Sequence, residues 1–282
     1  MLVFIIPLKS PQVSKSWKNV SFLCEKTLKS ICNQTNPNFK IIVVCNAKPD
    51  ISYSHPNVIY LVDNFPIPGV EKGYTKERDR TQKMLTGILY AKKLKDTTHI
   101  MLVDADDRVS DRLAEYVSHY PNCPGWFITN GYCYQENSVF IKVMRKAFHH
   151  YCGTSNILRK DLYDIDSNDS ETRDRLFKAY RHKQLEQTLA AKGIYLESLP
   201  FKGAVYIINN GENIYYGIAK KSKISLKSRL LRLKSLLDNR ILTPTIKKEF
   251  SLLEKLGAIF SLVNQIVKFF VVNFIKHFRS NM

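Results

Sequence analysis

An α/β fold, with a mostly parallel central sheet and helices on both faces, is what this sequence predicts, and three observations carry the prediction. Short continuous apolar runs, of the kind that fill buried parallel strands, alternate with segments of helical spacing. The order is strand, helix, strand, strand, helix, strand, as in a wound α/β sheet. The third observation is the stretch Met101-Leu102-Val103-Asp104-Ala105-Asp106-Asp107, an apolar run that ends in three carboxylates. Strand interiors exclude charge, so these acids belong at the strand's carboxyl end, where open α/β sheets bind ligands.

Leu2 to Ile6 is an apolar run stopped by Pro7 and reads as a central strand. Trp17 to Cys32 follows with Val20, Leu23, Cys24, Leu28 and Ile31 at helical spacing. Pro37 and Asn38 punctuate before a second strand, Lys40 to Cys45, and a third runs from Val58 to Val62. A Pro/Gly-rich loop then leads to a helix over Arg78 to Leu94, and the fourth strand carries the acids. Beyond it the sequence predicts a helix from Val109 to His119, capped by Asp107 or Ser110, and strands at Trp126 to Tyr134 and Val139 to Val143. A Cys-Gly-Thr-Ser turn at 152–155 and a polar stretch come next. A helix from about Arg173 to Lys192 and strands at Tyr195 to Leu199 and Ala204 to Ile208 close the unit.

With 282 residues, 44% of them hydrophobic, the chain can bury a full core. The predicted division is a catalytic unit over 1–218 and a basic, amphipathic helical region over 219–282. The formal charge is +18, and residues 219–282 hold fourteen Lys/Arg against three Asp/Glu, so most of the excess sits there. Helical patterns run from Lys220 to Leu237, from Pro244, and from Leu256 to Phe278. Asn264, Gln265, Lys268 and Asn273 interrupt the last one, where a charge at mid-membrane costs about 2.5–3.5 kcal/mol. An interfacial helix on an anionic membrane surface fits that composition better than a spanning one. The six cysteines form no C-x-x-C pair and read as reduced thiols, and Pro7 breaks the N-terminal apolar run too early for a signal peptide. The expected location is cytoplasmic, with a peripheral position on the inner face of the cell membrane; self-association stays open. A nucleic-acid partner is not expected, because a basic module would leave the three carboxylates without a purpose.

Clustered carboxylates are relieved by a divalent cation, and hard oxygen donors favour Mn or Mg over zinc. Four pieces of the chain, in order, resemble the GT-A glycosyltransferases, in particular the inverting enzymes of family 2. They are Phe4-Ile5-Ile6-Pro7, the segment Asn33 to Val44, the acidic stretch Ile100 to Asp107, and Leu199-Pro200 followed by Ala204-Val205-Tyr206. The resemblance spans roughly residues 2–216. It implies a nucleotide-sugar donor, a UDP-sugar first, whose diphosphate is bridged by Mn or Mg to the Asp-x-Asp, and a glycan or lipid-linked acceptor. On that basis Asp106 holds the metal, and Asp104 contacts the ribose or a metal-bound water. Pro7, Leu8 and Lys9 line the nucleotide pocket. A basic residue of the helix at 78–94, Lys83 with Arg80 as competitor, neutralises the diphosphate.

Three departures from that pattern shape the remaining expectations. Where the family often has a base-reading acid after the second strand, this chain offers only Asn46, which can still hydrogen-bond a uracil edge. The family's late histidine ligand has no match, and Asn210 or Asn213 could take its place beside the site. The catalytic base position falls on Arg181-His182; His182 can accept a proton near neutral pH, and Asp174, Glu171 and Glu186 are alternates. His149 to Ser155 can form an acceptor-side loop, with Gly153 allowing close approach of a sugar; its His149-His150 pair invites a zinc reading, but adjacent residues seldom converge on one metal and no Cys/His partner stands at ligand spacing. Trp126, Tyr132 and Tyr134 are divided between the core and a sugar-stacking face. A nucleotidyltransferase on a related sheet is the nearest enzymatic rival, but Pro7-Leu8-Lys9-Ser10-Pro11 lacks the glycine-rich loop it needs. The other alternative is a basic membrane- or nucleic-acid-binding module on an inactive version of the fold.

Overall fold

The computed structural model describes residues 1–70, 74–181, 184–212 and 238–252. Its larger sheet grows from β1 (Leu2–Pro7), which pairs in parallel with β2 (Phe39–Cys45) on one side and β4 (His99–Leu102) on the other. Beyond β2 lies β3 (Val58–Val62), also parallel. Beyond β4 come β9 (Asn156–Arg159), the sheet's antiparallel member, then β6 (Gly125–Phe127) and the short edge β10 (Glu197–Ser198). The class is therefore the predicted one, α/β with a mostly parallel sheet.

Both faces of this sheet are covered, as its unbroken apolar strands require. Leu2, Phe4 and Ile6 pack on α1 (Trp17–Cys32) through Val20, Cys24, Leu28 and Ile31. The alternate residues Val3 and Ile5 pack on α2 (Lys76–Lys93) through Met84, Leu85 and Ile88. Complete burial of such side chains contributes about 1.5–3 kcal/mol each. Both helices open on a hydroxyl cap: Ser16 accepts from the Asn19 amide and Thr75 from the Arg78 amide. Gly87 allows α2 to lie against the strands, since a Cβ there would stand 2.5 Å from Ile5 Cγ2.

A second sheet of five strands lies in the order β12, β8, β7, β11, β5. These are β5 (Arg108–Val109), β7 (Gly131–Gln135), β8 (Phe140–Met144), β11 (Ala204–Ile208) and β12 (Asn239–Ile241). Several sequence expectations change here. The run from Trp126 to Tyr134 is two strands in different sheets, divided at Thr129-Asn130. The helix expected from Val109 begins only at Leu113, as α3 (Leu113–His119), because Arg108 and Val109 pair with β11. β9, with only Ile157 and Leu158 to mark it, went unpredicted, as did the short α4 (Phe148–Tyr151). The expected helix over 173–192 is α5 (Ser170–Ala179) and α6 (Leu185–Ala190).

The region expected to be a separate helical appendage also contributes to the main body. β12 pairs with β8, and α7 (Pro244–Glu249) leads to Phe250 and Leu252 in the core of the second sheet. Glu249 accepts from Ser110 Oγ at 2.7 Å and pairs with Arg112 at 3.2 Å. The helical patterns expected over 220–237 and 256–278 lie outside the described residues. Among the described residues, no helix is long and apolar enough to cross a membrane.

Candidate functional site

The site is built where strand order reverses. β1 connects through α1 to β2 on one side, while β4 joins β1 on the other, so the carboxyl ends of β1 and β4 diverge and leave a crevice. A cleft of about 250 Å³ occupies it, lined by Pro7, Leu8 and Lys9 after β1 and by Asp104, Ala105 and Asp106 after β4. Arg80, Asp79 and Met84 of α2 form one wall, with Tyr151, Gly153, Phe177, Arg181, Tyr206 and Glu212 around the rest.

The acidic turn is held from beneath by buried donors. Arg108 Nη1 donates to the carbonyls of Asp106 and Asp107, both at 3.0 Å, and the Thr27 hydroxyl lies 3.0 and 2.9 Å from those of Ala105 and Asp107. Thr154 bridges two of the acids: its Oγ1 accepts from the Asp104 amide at 2.9 Å and donates to Asp107 Oδ2 at 2.6 Å.

The three carboxylates have different surroundings. Asp107 is fully buried and also accepts from Cys152 Sγ at 3.2 Å and the Ile207 amide at 3.1 Å, so it anchors the turn and does not face the cleft. Burial, then the charges of Asp106 and Asp104, raise its carboxyl well above the ordinary range. Burial and then the Asp104 charge raise the Asp106 carboxyl as well. Asp106 Oδ2 accepts from Asn210 Nδ2 at 2.6 Å. Asp104 Oδ1 takes both Arg80 Nε at 3.0 Å and Arg80 Nη2 at 2.6 Å. Two neighbouring carboxylates whose charges oppose each other, both lining a cleft, form an oxygen donor set that fits a hard divalent cation.

Around them the predicted residues separate. Pro7, Leu8, Lys9, Arg80, Asp104 and Asp106 come together in the cleft. Lys9 Nζ is 2.8 Å from Glu212 Oε2, and Glu212 also accepts from the Ser16 amide, which ties the loop after β1 to the chain after β11. The environment of Lys83 is different: it is fully buried, donating to the Leu8 carbonyl and to Asp79 Oδ2, each at 2.9 Å, and does not line the cleft. Burial lowers its pKa and Asp79 opposes that shift. Asn46, expected to read the base, does not line the cleft either: it sits at the end of β2 with its Nδ2 on the Phe65 carbonyl at 2.7 Å and its Oδ1 buried without a hydrogen-bond partner.

Asp174 and Glu171 stand exposed on α5, away from the cleft lining, and Glu186 stands exposed on α6. His182 and Asn213 lie outside the described residues. Trp126, Tyr132 and Tyr134 are core residues. Sequence reasoning missed Glu212 and Phe177 as cleft residues; neither belongs to a motif, and only the fold brings them to β1. Tyr151 and Tyr206 also line the cleft, the first from the loop expected on the acceptor side and the second from the closing strand.

No protein-family model matches the sequence, and no curated protein sequence matches it. Among solved structures the chain is similar to TarS of S. aureus, at 10% identity and a TM-score of 0.39, over 73% of this chain and 36% of that one. It therefore spans little more than a third of that protein's length. It is also similar to the 2-C-methyl-D-erythritol 4-phosphate cytidylyltransferase of Francisella tularensis, at 15% identity and a TM-score of 0.37, over 83% of this chain and 98% of that one.

Proposed function

We propose that this chain is a metal-dependent glycosyltransferase that moves a sugar, with inversion, from a nucleotide-diphosphate donor to a glycan or glycolipid acceptor. A UDP-sugar is the first donor to test. The observation that carries the reading is the placement of Asp104 and Asp106 side by side in the crevice between β1 and β4, with Arg80 forked onto Asp104 and the Pro7-Leu8-Lys9 loop opposite. Asp104 and Asp106 would hold Mn or Mg, which supplies positive charge to the departing diphosphate.

The chain's own residues then divide the remaining work. Arg80 and Lys9 add positive charge to the same crevice, and Arg80 fixes the orientation of Asp104. Asn210 orients Asp106, and Thr154 sets the level of the turn. Tyr151 and Phe177, on the outer side of the cleft, give a sugar an aromatic wall.

The test is ligand-induced stabilisation of the full chain. UDP with Mn is expected to raise the melting temperature, UDP alone to raise it far less, and Asp106→Asn to remove the difference. Screening nucleotide-sugars for Mn-dependent hydrolysis then identifies the donor. Stabilisation by nucleoside triphosphates but by no nucleoside diphosphate or nucleotide-sugar would overturn the reading in favour of nucleotidyl transfer.

A further inference from the structure

We propose that His149, His150 and Glu186 form a second metal site, for a borderline divalent ion such as zinc, that ties α4 to α6 at the rim of the cleft. One donor atom from each of the three lies within 4.8 Å of the others, the one such trio of His, Cys, Asp or Glu side chains among the described residues. Adjacent histidines alone make a poor chelate. The fold adds what sequence spacing could not show, a carboxylate brought from a separate helix.

The geometry is that of a site needing small adjustment. His149 is nearly buried and fixed, its ring 5.3 Å from that of Phe127 and 4.0 Å from that of His150. Its Nδ1 has no hydrogen-bond partner. Its Nε2 lies 3.7 Å from Glu186 Oε2, too far for a hydrogen bond. A tetrahedral ion with bonds of about 2.0–2.1 Å spaces its ligands about 3.3–3.4 Å apart. The two are within a few tenths of an ångström of that spacing, and Glu186, more than half exposed, can turn to close it.

The donors choose the metal. Two imidazole nitrogens and one carboxylate suit zinc, cobalt or nickel, whereas the all-oxygen set of Asp104 and Asp106 suits manganese or magnesium. The two sites would load independently. The His149-His150 pair directly precedes Tyr151 and Gly153, both in the cleft lining, so an ion here would fix that wall against α6. The inference does not rest on the transferase reading.

The experiment uses the untagged full chain, stripped with chelator and titrated with Co²⁺ while the visible spectrum is recorded, then with Zn²⁺ in competition. One equivalent of Co²⁺ is expected to develop the intense d–d bands of tetrahedral nitrogen and oxygen ligation, with no thiolate charge-transfer band and with displacement by Zn²⁺, whereas Co²⁺ taken up by the oxygen donors of Asp104 and Asp106 adds only the weak absorption of six-coordinate cobalt. His150→Ala and Glu186→Ala change exposed side chains, and each is expected to weaken binding by about 100-fold or more, at least the loss that outer-shell changes alone can cause. Asp106→Asn is expected to leave these intense bands and their midpoint unchanged. No intense visible band, a thiolate band, full binding in both alanine variants, or loss of binding in Asp106→Asn would each overturn the proposal.

Discussion

A Cβ added to Gly153 would stand 2.5 Å from Asp104 Oδ2 and 2.8 Å from Arg80 Nη2. The glycine is what permits the loop after α4 to close over the Arg80–Asp104 fork. Both threatened atoms are side-chain ends, so Gly153→Ala is expected to leave stability within about 1 kcal/mol of wild type. It should displace Asp104 and weaken UDP binding in the presence of Mn about tenfold or more. Calorimetric titration beside a urea unfolding curve checks both parts, and unchanged affinity would mean that Asp104 does not contact the ligand.

Arg80 and Lys83 occupy neighbouring turns of α2 with opposite consequences. Arg80→Lys removes a fork onto one carboxylate oxygen that a single ammonium cannot reproduce. Nucleotide affinity should fall, while stability changes by less than about 1 kcal/mol, because the pair is a third exposed. Lys83→Met strips Asp79 of its buried partner and should cost about 3 kcal/mol, with affinity of the folded protein little changed. Denaturant midpoints and titrations on both variants separate the two roles.

That pair also shows what could be read from the sequence. Helical spacing placed both cations on α2, but the choice between them depended on which face meets β1. Gly87 and Met84, packed on Ile5, decide this only in three dimensions. The unbroken apolar runs of β1, β2 and β4 announced themselves because parallel strands covered on both faces have no polar alternation to blur them. β9 did not, since its neighbours supply most of its burial and its own apolar content is two residues. Asp104 and Asp106 were legible from chemistry, as charge cannot continue a buried strand. Glu212 was not legible, because its partner Lys9 lies more than two hundred residues away in sequence.

His99 predicts a pH dependence. The ring is fully buried in β4 beside Trp126, donates from Nε2 to the Cys123 carbonyl at 2.8 Å, and is held by burial below its ordinary pKa of about 6.5. Above that value neither the folded nor the unfolded chain carries a proton there. As pH falls below it, the unfolded chain takes up the proton first, so stability drops by up to about 1.4 kcal/mol per pH unit until the folded pKa is reached. Urea unfolding at about pH 7 and about pH 5.5 should show the loss, and His99→Gln should flatten it. An equal slope in the variant would assign the acid sensitivity to other groups.

Arg108 is the buried cation on which the acidic turn rests, and its two kinds of partner should be separable. Its Nη1 holds the carbonyls of Asp106 and Asp107, and its Nη2 meets Glu136 at 3.1 Å, a carboxylate that Lys26 also pairs at 2.8 Å. Glu136 is a quarter exposed, so water can replace part of what it gives, and Glu136→Gln should cost about 1 kcal/mol. Arg108→Ala removes the carbonyl contacts and leaves a cavity beneath the turn, a loss of about 3–5 kcal/mol. The functional consequence follows from position: with its floor gone, the turn no longer presents Asp104 and Asp106 together. Mn-dependent UDP binding should therefore fall in Arg108→Ala even at temperatures where the variant is fully folded, and persist in Glu136→Gln. Equal binding by both folded variants would show that Thr27 and Thr154 suffice to shape the turn.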